Sequence, residues 1–267
     1  MSGGRKDRQG MQAELFQESS AEEAERRKRL DRGFFARDGI TVARELLGKI
    51  LVHRTSAGFV RGIITEAESY MGEEDKGSHT YGGRRTERTE PMYHTGGTSY
   101  VYLIYGMYSC MNIAAMTEGI PQAVLLRSVV PADPESRERM YGLRLAEMQR
   151  RRGRREEREK AEERQVGGSG GMFRFAGRDM ADRAVDKLPK SLEKHLADGP
   201  GKLCIAMGIT RADNDIDLTV SEDFYVTEGI AIEPEQIRAG KRIGIDYAEE
   251  AADYLWRFYL EPSSLEG

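Results

Sequence analysis

The chain has 267 residues with 39% hydrophobic and 32% charged side chains and a formal net charge of −4, and its length suits one large domain or two compact halves. Two cysteines exclude a disulfide framework and a cysteine zinc cluster, and the four histidines lack metal-ligand spacing, so we expect no metal or other cofactor. The acidic total argues weakly against nucleic-acid binding, and the lack of a secretory leader or a long apolar run predicts a soluble cytoplasmic protein.

The first predicted elements follow a charged N-terminal segment. Residues 1–33 are poor in apolar side chains, so we expect a solvated, disordered tail and a globular part that begins near Phe34. From Thr41, the apolar spacing predicts a short amphipathic helix that runs through Gly48 into a strand.

The next segment, FVRGIITEAESYM, predicts a strand that leads into a long polar loop. Its period of two places Ile64, Glu66, Glu68 and Tyr70 on one face, and the loop carries His79. A carboxylate, a phenol and an imidazole near one strand end could form a site in which Glu68 activates water and the rings hold a flat substrate. The alternative is a surface glutamate beside an ordinary core tyrosine.

A hairpin is predicted next, because two β-rich runs flank Gly106. Its tip would combine Tyr105 with Met107 and Tyr108, and exposed apolar tips are costly in water unless something receives them. One receiver is a gap between stacked bases, since inserted side chains unstack and kink a duplex. Aromatic packing within the core is the alternative.

Two polar residues interrupt apolar strands. Asn112 lies in CMNIAAM and Arg127 lies in the predicted strand QAVLLRSVV. Buried polar groups need hydrogen-bond partners, so Asn112 either ties down backbone or binds a polar ligand. Arg127 is either a paired structural cation or a phosphate contact.

The C-terminal half begins with a highly charged segment. Residues 135–165 mix arginine with glutamate and predict an inserted, solvated helix, which GGSGG at 167–171 ends. The alternative is that this arginine run contacts DNA. Beyond it we predict a helix, a Gly-Pro-Gly turn and a further helix, and residues 217–260 predict late strands of the same sheet.

Six strings, in this order, resemble the alkyladenine (3-methyladenine) DNA glycosylase family: VARELLGKIL, ITEAESYMGEEDKGSHTYGGRRTERTEPMY, YVYLIYGMYSCMNI, AVLLRSVVP, GPGKLCIAMGI and RIGIDY…WRFYL. The similarity covers nearly all of 34–131 and 199–260. It implies an α+β fold: a single mixed domain with a curved, largely antiparallel β-sheet, a protruding β-hairpin and surrounding helices. The glycosylase domain would span 34–262, with the charged helix and linker at 135–171 inserted and a tail at 263–267.

The resemblance implies a metal-free, monomeric base-excision repair enzyme that flips a damaged purine out of duplex DNA and hydrolyses its N-glycosidic bond. Glu68 is similar to the family's general base for water, and Arg127 matches an arginine near the phosphate and the attacking water. Tyr70 and His79 resemble one wall of the base pocket, and Tyr102 resembles the opposite wall.

Further residues match positions that contact the DNA. Asn112 is similar to the amide that lines the pocket and disfavours guanine. Tyr105 resembles the tyrosine that replaces the extruded nucleotide, with Met107 and Tyr108 shaping the wedge beside it. Lys202 matches a residue that contacts the DNA backbone.

Departures from the family pattern are local. Gly77 replaces a commoner alanine, Thr89 stands where asparagine often occurs, and the ending EPSSLEG lacks the usual Val-Ser. None of these positions touches the expected base or wedge, so they bear on substrate range rather than on activity.

The strand of Glu68 has no lysine beside it that could form a Schiff base, so we expect a monofunctional enzyme without strand cleavage. A bacterial protein of this kind would lie at the nucleoid and a eukaryotic one in the nucleus. The acidic total predicts a confined basic face and a modest salt dependence of DNA binding. The alternative function is a non-catalytic protein that binds distorted or damaged DNA with the same wedge.

Overall fold

The computed structural model describes residues 20, 22–104, 106–166 and 190–261. Their strands are β1 (Ile50–Thr55), β2 (Gly58–Tyr70), β3 (Ser99–Ile104), β4 (Tyr108–Ala115), β5 (Gln122–Pro131), β6 (Phe224–Thr227), β7 (Ile237–Gly240) and β8 (Arg257–Leu260). Their α-helices are α1 (22–26), α2 (Arg32–Phe35), α3 (Gly39–Glu45), α4 (Pro134–Val166), α5 (Lys190–Lys194) and α6 (Pro200–Met207). Short 3₁₀ helices cover Gly72–Glu74, Tyr81–Gly83, Glu90–Tyr93, Arg211–Asp213, Pro234–Gln236 and Glu249–Asp253.

The eight strands form one antiparallel sheet in the order β3-β4-β5-β2-β1-β6, with β8 joined to β2 and β7 joined to β8. The long strand β2 organises it. One edge of β2 pairs with β5 from Gly62 to Tyr70, and the other edge pairs first with β1 and then with β8. The predicted α+β fold, with its antiparallel sheet and its β3–β4 hairpin, is confirmed.

The main core lies where α3, α4 and α6 pack against the sheet. It includes Val42, Met140 and Met207 from these three helices together with Ile64 and Leu126 from the sheet. Each of these side chains is 0% exposed, so the largest apolar contribution to stability comes from this layer.

Two irregularities interrupt the pairing of β2 with β5. Ile64 pairs with Val129, Glu66 with Ser128 and Ala67 with Leu126, so one residue on each strand, Thr65 and Arg127, has no partner in the ladder. A bulge of this kind changes which face the following side chains occupy. Ile64 consequently belongs to the main core together with Ala67. The expectation that Ile64 shares a face with Glu66, Glu68 and Tyr70 was wrong.

Packing begins before Phe34, where the sequence analysis starts the globular part. Leu30 is 5% exposed within the main core, and its N–H donates to the carbonyl of Val226 at 2.9 Å. Arg61 donates to Glu25 at 2.7 Å. Residues 22–33 are therefore part of the folded unit, and residues 1–19 lie outside the described residues.

The charged segment forms α4, a single helix of 33 residues, as predicted. The linker at 167–171 and the tail at 263–267 lie outside the described residues. Among the helices that the structure describes, none combines the length and the apolar character that crossing a membrane requires.

Candidate active site

A cleft of about 420 Å³ opens between the end of β2, the β3–β4 hairpin and the segment around residues 243–247. Its lining includes five of the side chains predicted from the sequence: Tyr70, His79, Tyr102, Asn112 and Arg127. These residues are distant in sequence, and the sheet brings them together because β4, β5 and β2 are neighbours. The cleft is thus built on rigid strands and closed by loops.

Glu68 lies directly beneath this lining and is 0% exposed. Its Oε1 accepts a hydrogen bond from the Ile243 N–H at 2.8 Å, and its Oε2 accepts one from the Tyr70 hydroxyl at 3.0 Å. Arg127 Nη1 lies 3.3 Å from Oε2. Both oxygens of the carboxylate are therefore held by groups that themselves line the cleft.

The environment of Glu68 sets its protonation. Burial raises the pKa of Glu68 above its usual value, while Arg127, the Ile243 N–H and Tyr70 partly oppose the shift and Glu66 adds to it. A carboxyl with a raised pKa binds protons more readily, which suits a group that takes a proton from water near neutral pH. Burial also raises the pKa of Tyr70, so its phenol stays neutral.

Glu66 is a site residue that the sequence analysis placed on the right face without assigning it a role. Its Oε1 accepts from Arg127 Nε at 3.1 Å and from Arg257 Nη1 at 3.0 Å. Arg127 therefore bridges Glu66 and Glu68, and Arg257 neutralises Glu66 from the other side. Period two signalled Glu66, but Arg257 lies nearly 200 residues away and only strand pairing brings it here.

His79 is neutral at physiological pH. Burial first, and then the nearby charges of Arg88 and Arg84, lower the pKa of His79 to about 4. Its Nδ1 lies 3.0 Å from the Tyr100 hydroxyl. A neutral imidazole can donate or accept a hydrogen bond, but it lacks the second, acidic proton of the imidazolium and is not a general acid at pH 7.

The predicted opposite walls touch each other. The ring centres of His79 and Tyr102 are 4.7 Å apart with planes at 79°, an edge-to-face contact. This arrangement leaves no room for a planar ligand between the two rings, so its admission requires one of them to move. Tyr70 also lines the cleft.

Arg242 supports the Tyr70 wall and was not found by sequence reasoning. Its guanidinium carbon lies 4.8 Å from the Tyr70 ring centre and 4.9 Å from that of Trp256. Nη2 donates to Asp75 at 2.8 Å in a fully buried ion pair. A Cβ at Gly77 would lie 3.0 Å from the same Nη2, so glycine leaves room for the guanidinium at this position.

Asn112 is 4% exposed and fixed by its own strand pair. Its Nδ2 donates to the carbonyl of Tyr100 at 3.1 Å, which is its partner in the β3–β4 register. The amide thus lines the cleft in one orientation, with a single hydrogen bond to backbone. Such a fixed amide can discriminate between ligands by shape and by hydrogen bonding.

The hairpin tip and Lys202 lie away from the cleft lining. Met107 is 65% exposed at the turn, and Tyr108 packs against α4 and α6. Tyr105 lies outside the described residues. Lys202 pairs with Asp198 at 2.9 Å on the first turn of α6. Among the residues that the structure describes, no cluster of three or more candidate metal ligands occurs.

Comparison with known proteins identifies the family of this chain. A family model described as methylpurine-DNA glycosylase matches residues 33–264. The chain belongs to the methylpurine-DNA glycosylase family. The resemblance read from the sequence is therefore confirmed, and so is the enzyme class of DNA glycosylase at the level of the family.

Bacterial members of the methylpurine-DNA glycosylase family show how far the similarity extends. A Clostridium acetobutylicum protein is 42% identical over 237 residues, covering 87% of this chain and 94% of the relative. A Desulfitobacterium hafniense protein is 42% identical over 236 residues, covering 88% and 97%. A Clostridium perfringens protein is 39% identical over 234 residues, covering 87% and 96%. All three are named as candidate 3-methyladenine DNA glycosylases.

Proposed function

We propose that this chain is a monofunctional DNA glycosylase that flips alkylated or deaminated purines out of duplex DNA and hydrolyses their N-glycosidic bonds. Candidate lesions are 3-methyladenine, hypoxanthine and ethenoadenine. The observation that carries the proposal is a fully buried carboxylate, Glu68, held by Arg127 beneath a cleft of about 420 Å³ whose lining includes several aromatic rings. The volume of this cleft suits a purine, which stacks between the walls once His79 or Tyr102 moves out of their mutual contact.

Glu68 acts as the general base. Cleavage of the bond between sugar and base develops positive charge on the sugar, which a nearby carboxylate stabilises. Glu68 then takes a proton from the attacking water, and Arg127 orients both the carboxylate and that water. Purines alkylated at a ring nitrogen leave readily because they are already cationic, whereas neutral lesions need a proton on the departing base.

Aromatic side chains compensate for extrusion of the base. Flipping costs a few kcal/mol, and less for a damaged or mispaired base. Stacking on an aromatic ring returns roughly 1–3 kcal/mol per base. Tyr70, His79 and Tyr102 would provide these contacts, while Tyr105 fills the gap in the duplex and Met107 and Tyr108 shape the wedge.

Selectivity and reaction type follow from the lining. The fixed amide of Asn112 would crowd the 2-amino group of guanine, so undamaged guanine is disfavoured. Among the described residues that line the cleft there is no lysine, which supports hydrolysis by water rather than a Schiff base. We propose further that the enzyme acts as a monomer on double-stranded DNA.

Replacement of Glu68 tests the proposal. We expect Glu68→Gln to lose formation of abasic sites on hypoxanthine, ethenoadenine and 3-methyladenine duplexes while it retains lesion binding. Alkali-revealed cleavage of labelled duplexes measures excision, and gel shift measures binding. Burial of the ionised carboxylate opposes folding, because stability from a group with a raised pKa is lost as pH rises through that pKa. The variant should therefore unfold no earlier than the parent at pH 7.

The matched control is Glu74→Gln, an exposed glutamate in the following loop, which should leave excision unchanged. A parent protein that binds these duplexes yet releases no purine from any of them would instead support the non-catalytic binder.

A further inference from the structure

One face of α4 carries an excess of arginine. Arg144 lies three positions before Glu147, and Arg150, Arg151 and Arg154 lie three, four and seven positions after it. Because an α-helix turns 100° per residue, these five residues lie on one side of the helix. Glu147 accepts from Arg151 at 2.7 Å, from Arg150 at 3.0 Å and from Arg154 at 3.4 Å. We call these five residues the arginine face. It holds four cations and one anion.

The adjacent face of the same helix is balanced. Arg152 pairs with Glu156 at 2.9 Å, and Arg155 pairs with Glu159 at 2.8 Å. These are ordinary exposed pairs between positions i and i+4. The excess positive charge of this part of α4 is therefore directional, and the balanced pairs provide an internal comparison.

The arginine face is joined to the β3–β4 hairpin. Arg151 donates to the Tyr108 hydroxyl, and its guanidinium carbon lies 4.3 Å from the Tyr108 ring centre. On α6, a Cβ at Gly201 would lie 3.0 Å from the same ring, so α6 also packs closely against Tyr108. These contacts place the arginine face of α4 directly beside the hairpin.

A groove of about 400 Å³ separates α4 from the first turn of α6, and its charged lining consists of Arg144, Arg151 and Lys202 together with Glu147. Burial lowers the pKa of Arg144, and its Nε has no hydrogen-bond partner within the described residues. The nearby acids are already paired, Asp198 with Lys202 and Glu147 with Arg151. The backbone N–H groups at the start of α6 add partial positive charge. Three cations and one anion line this groove, and this excess of positive charge favours an anionic ligand.

We propose that the arginine face of α4 binds the phosphate backbone of duplex DNA that flanks the lesion. The inference rests on the proposed function, because the hairpin is what brings DNA beside Tyr108. Guanidinium groups match phosphate geometry in a bidentate manner. From Arg144 to Arg154 the helix rises about 15 Å, which corresponds to about four base pairs of duplex. DNA binding should consequently depend more steeply on salt than the acidic net charge predicts.

The experiment compares two double variants of the full-length chain. Arg150→Gln/Arg154→Gln removes charge from the arginine face but keeps the Arg151 contact with Tyr108. Arg152→Gln/Arg155→Gln removes the same charge from the balanced face. Affinity for a duplex with a central hypoxanthine and for the undamaged duplex is measured from about 50 to 200 mM salt, together with single-turnover excision at saturating enzyme.

We expect the first variant to bind both duplexes about tenfold more weakly at about 50 mM salt and to lower the slope of log K against log salt by about 2. Its excision rate at saturation should match the parent's, and the second variant should change affinity less than about twofold. Equal affinities and slopes for the two variants would overturn the inference. Binding of poly-glutamate is measured alongside. If the first variant loses that binding while its DNA affinity is unchanged, the inference is overturned and the face is assigned to an acidic protein. A parent that excises nothing, yet binds duplex through these arginines, would overturn the proposed function and leave this inference standing.

Discussion

At the scale of single residues, the site is a chain of alternating charges. Arg257, Glu66, Arg127 and Glu68 follow one another through contacts of 3.0, 3.1 and 3.3 Å. Arg127 is therefore shared between two carboxylates, and any change at Glu66 alters the electrostatic field at Glu68. Glu66 positions Arg127, whereas Glu68 is the residue proposed to act on water.

Opposite pH shifts are expected from the two neighbours of Glu68. Glu66→Gln removes a like charge and leaves Arg127 to Glu68, so the pKa of Glu68 falls and the acidic limb of the rate–pH profile moves to lower pH. Arg127→Gln removes the largest opposing influence, so the limb moves to higher pH and the maximal rate drops about 100-fold. Single-turnover excision across the pH range measures both.

The control for these shifts is Glu73→Gln, an exposed residue in the loop after β2, which should leave the profile in place. If the acidic limb moved in the same direction in Glu66→Gln and in Arg127→Gln, the shared-arginine arrangement would be contradicted.

At the scale of elements, the β3–β4 hairpin exposes side chains at its turn and holds others in the cleft. The β3–β4 register ends at the pair Ile104 and Tyr108, which leaves a three-residue turn in which Gly106 has a φ of 66°. Such turns favour glycine in the left-handed region. Met107 is thereby held out in solvent, while the strands behind it anchor Tyr102 and Asn112 in the cleft.

We call Tyr105 the plug, because it is proposed to fill the gap that the flipped base leaves in the duplex. Its loss should impair binding and excision on double-stranded substrate alone. We expect Tyr105→Ala to weaken binding to a lesion duplex about tenfold or more, since it removes an aromatic group proposed to replace the flipped base. Met107→Ala should have a smaller effect of the same sign. Because a single strand leaves no gap to fill, excision from a single-stranded lesion should be unaffected.

The matched control for Met107 is Val220→Ala, because both side chains are 65% exposed. Unchanged affinity and single-turnover rate of Tyr105→Ala on duplex substrate would remove the plug from the mechanism.

At the scale of the whole molecule, one sheet supports two separate tasks. Helices cover one face to form the main core, and the cleft lies on the side where Glu68, Tyr70 and Leu125 face. Residues 22–33 contribute to the main core and do not form a tail, because Leu30 is one of the core residues.

Leu30→Ala should therefore destabilise the entire domain by about 2–5 kcal/mol, the usual cost of a cavity in a packed core. Urea unfolding measures the free energy, and the exposed Arg27→Ala is the control, with a change expected within about 0.5 kcal/mol. A loss that small for Leu30→Ala as well would show that residues 22–33 are dispensable for folding.

The sequence by itself determined the hairpin and the long charged helix, because local periodicity and turn residues encode them without regard to which strands pair. The α+β class and most of the residues that gather around the cleft were implied by the family resemblance of the six strings. Tertiary structure decided the bulges at Thr65 and Arg127, the turn of Ile64 into the core, and the partnerships of Arg257 with Glu66 and Arg242 with Tyr70. Register and the approach of strands distant in the chain emerge only when the whole sheet is assembled, because one bulged residue reverses the faces of all that follow.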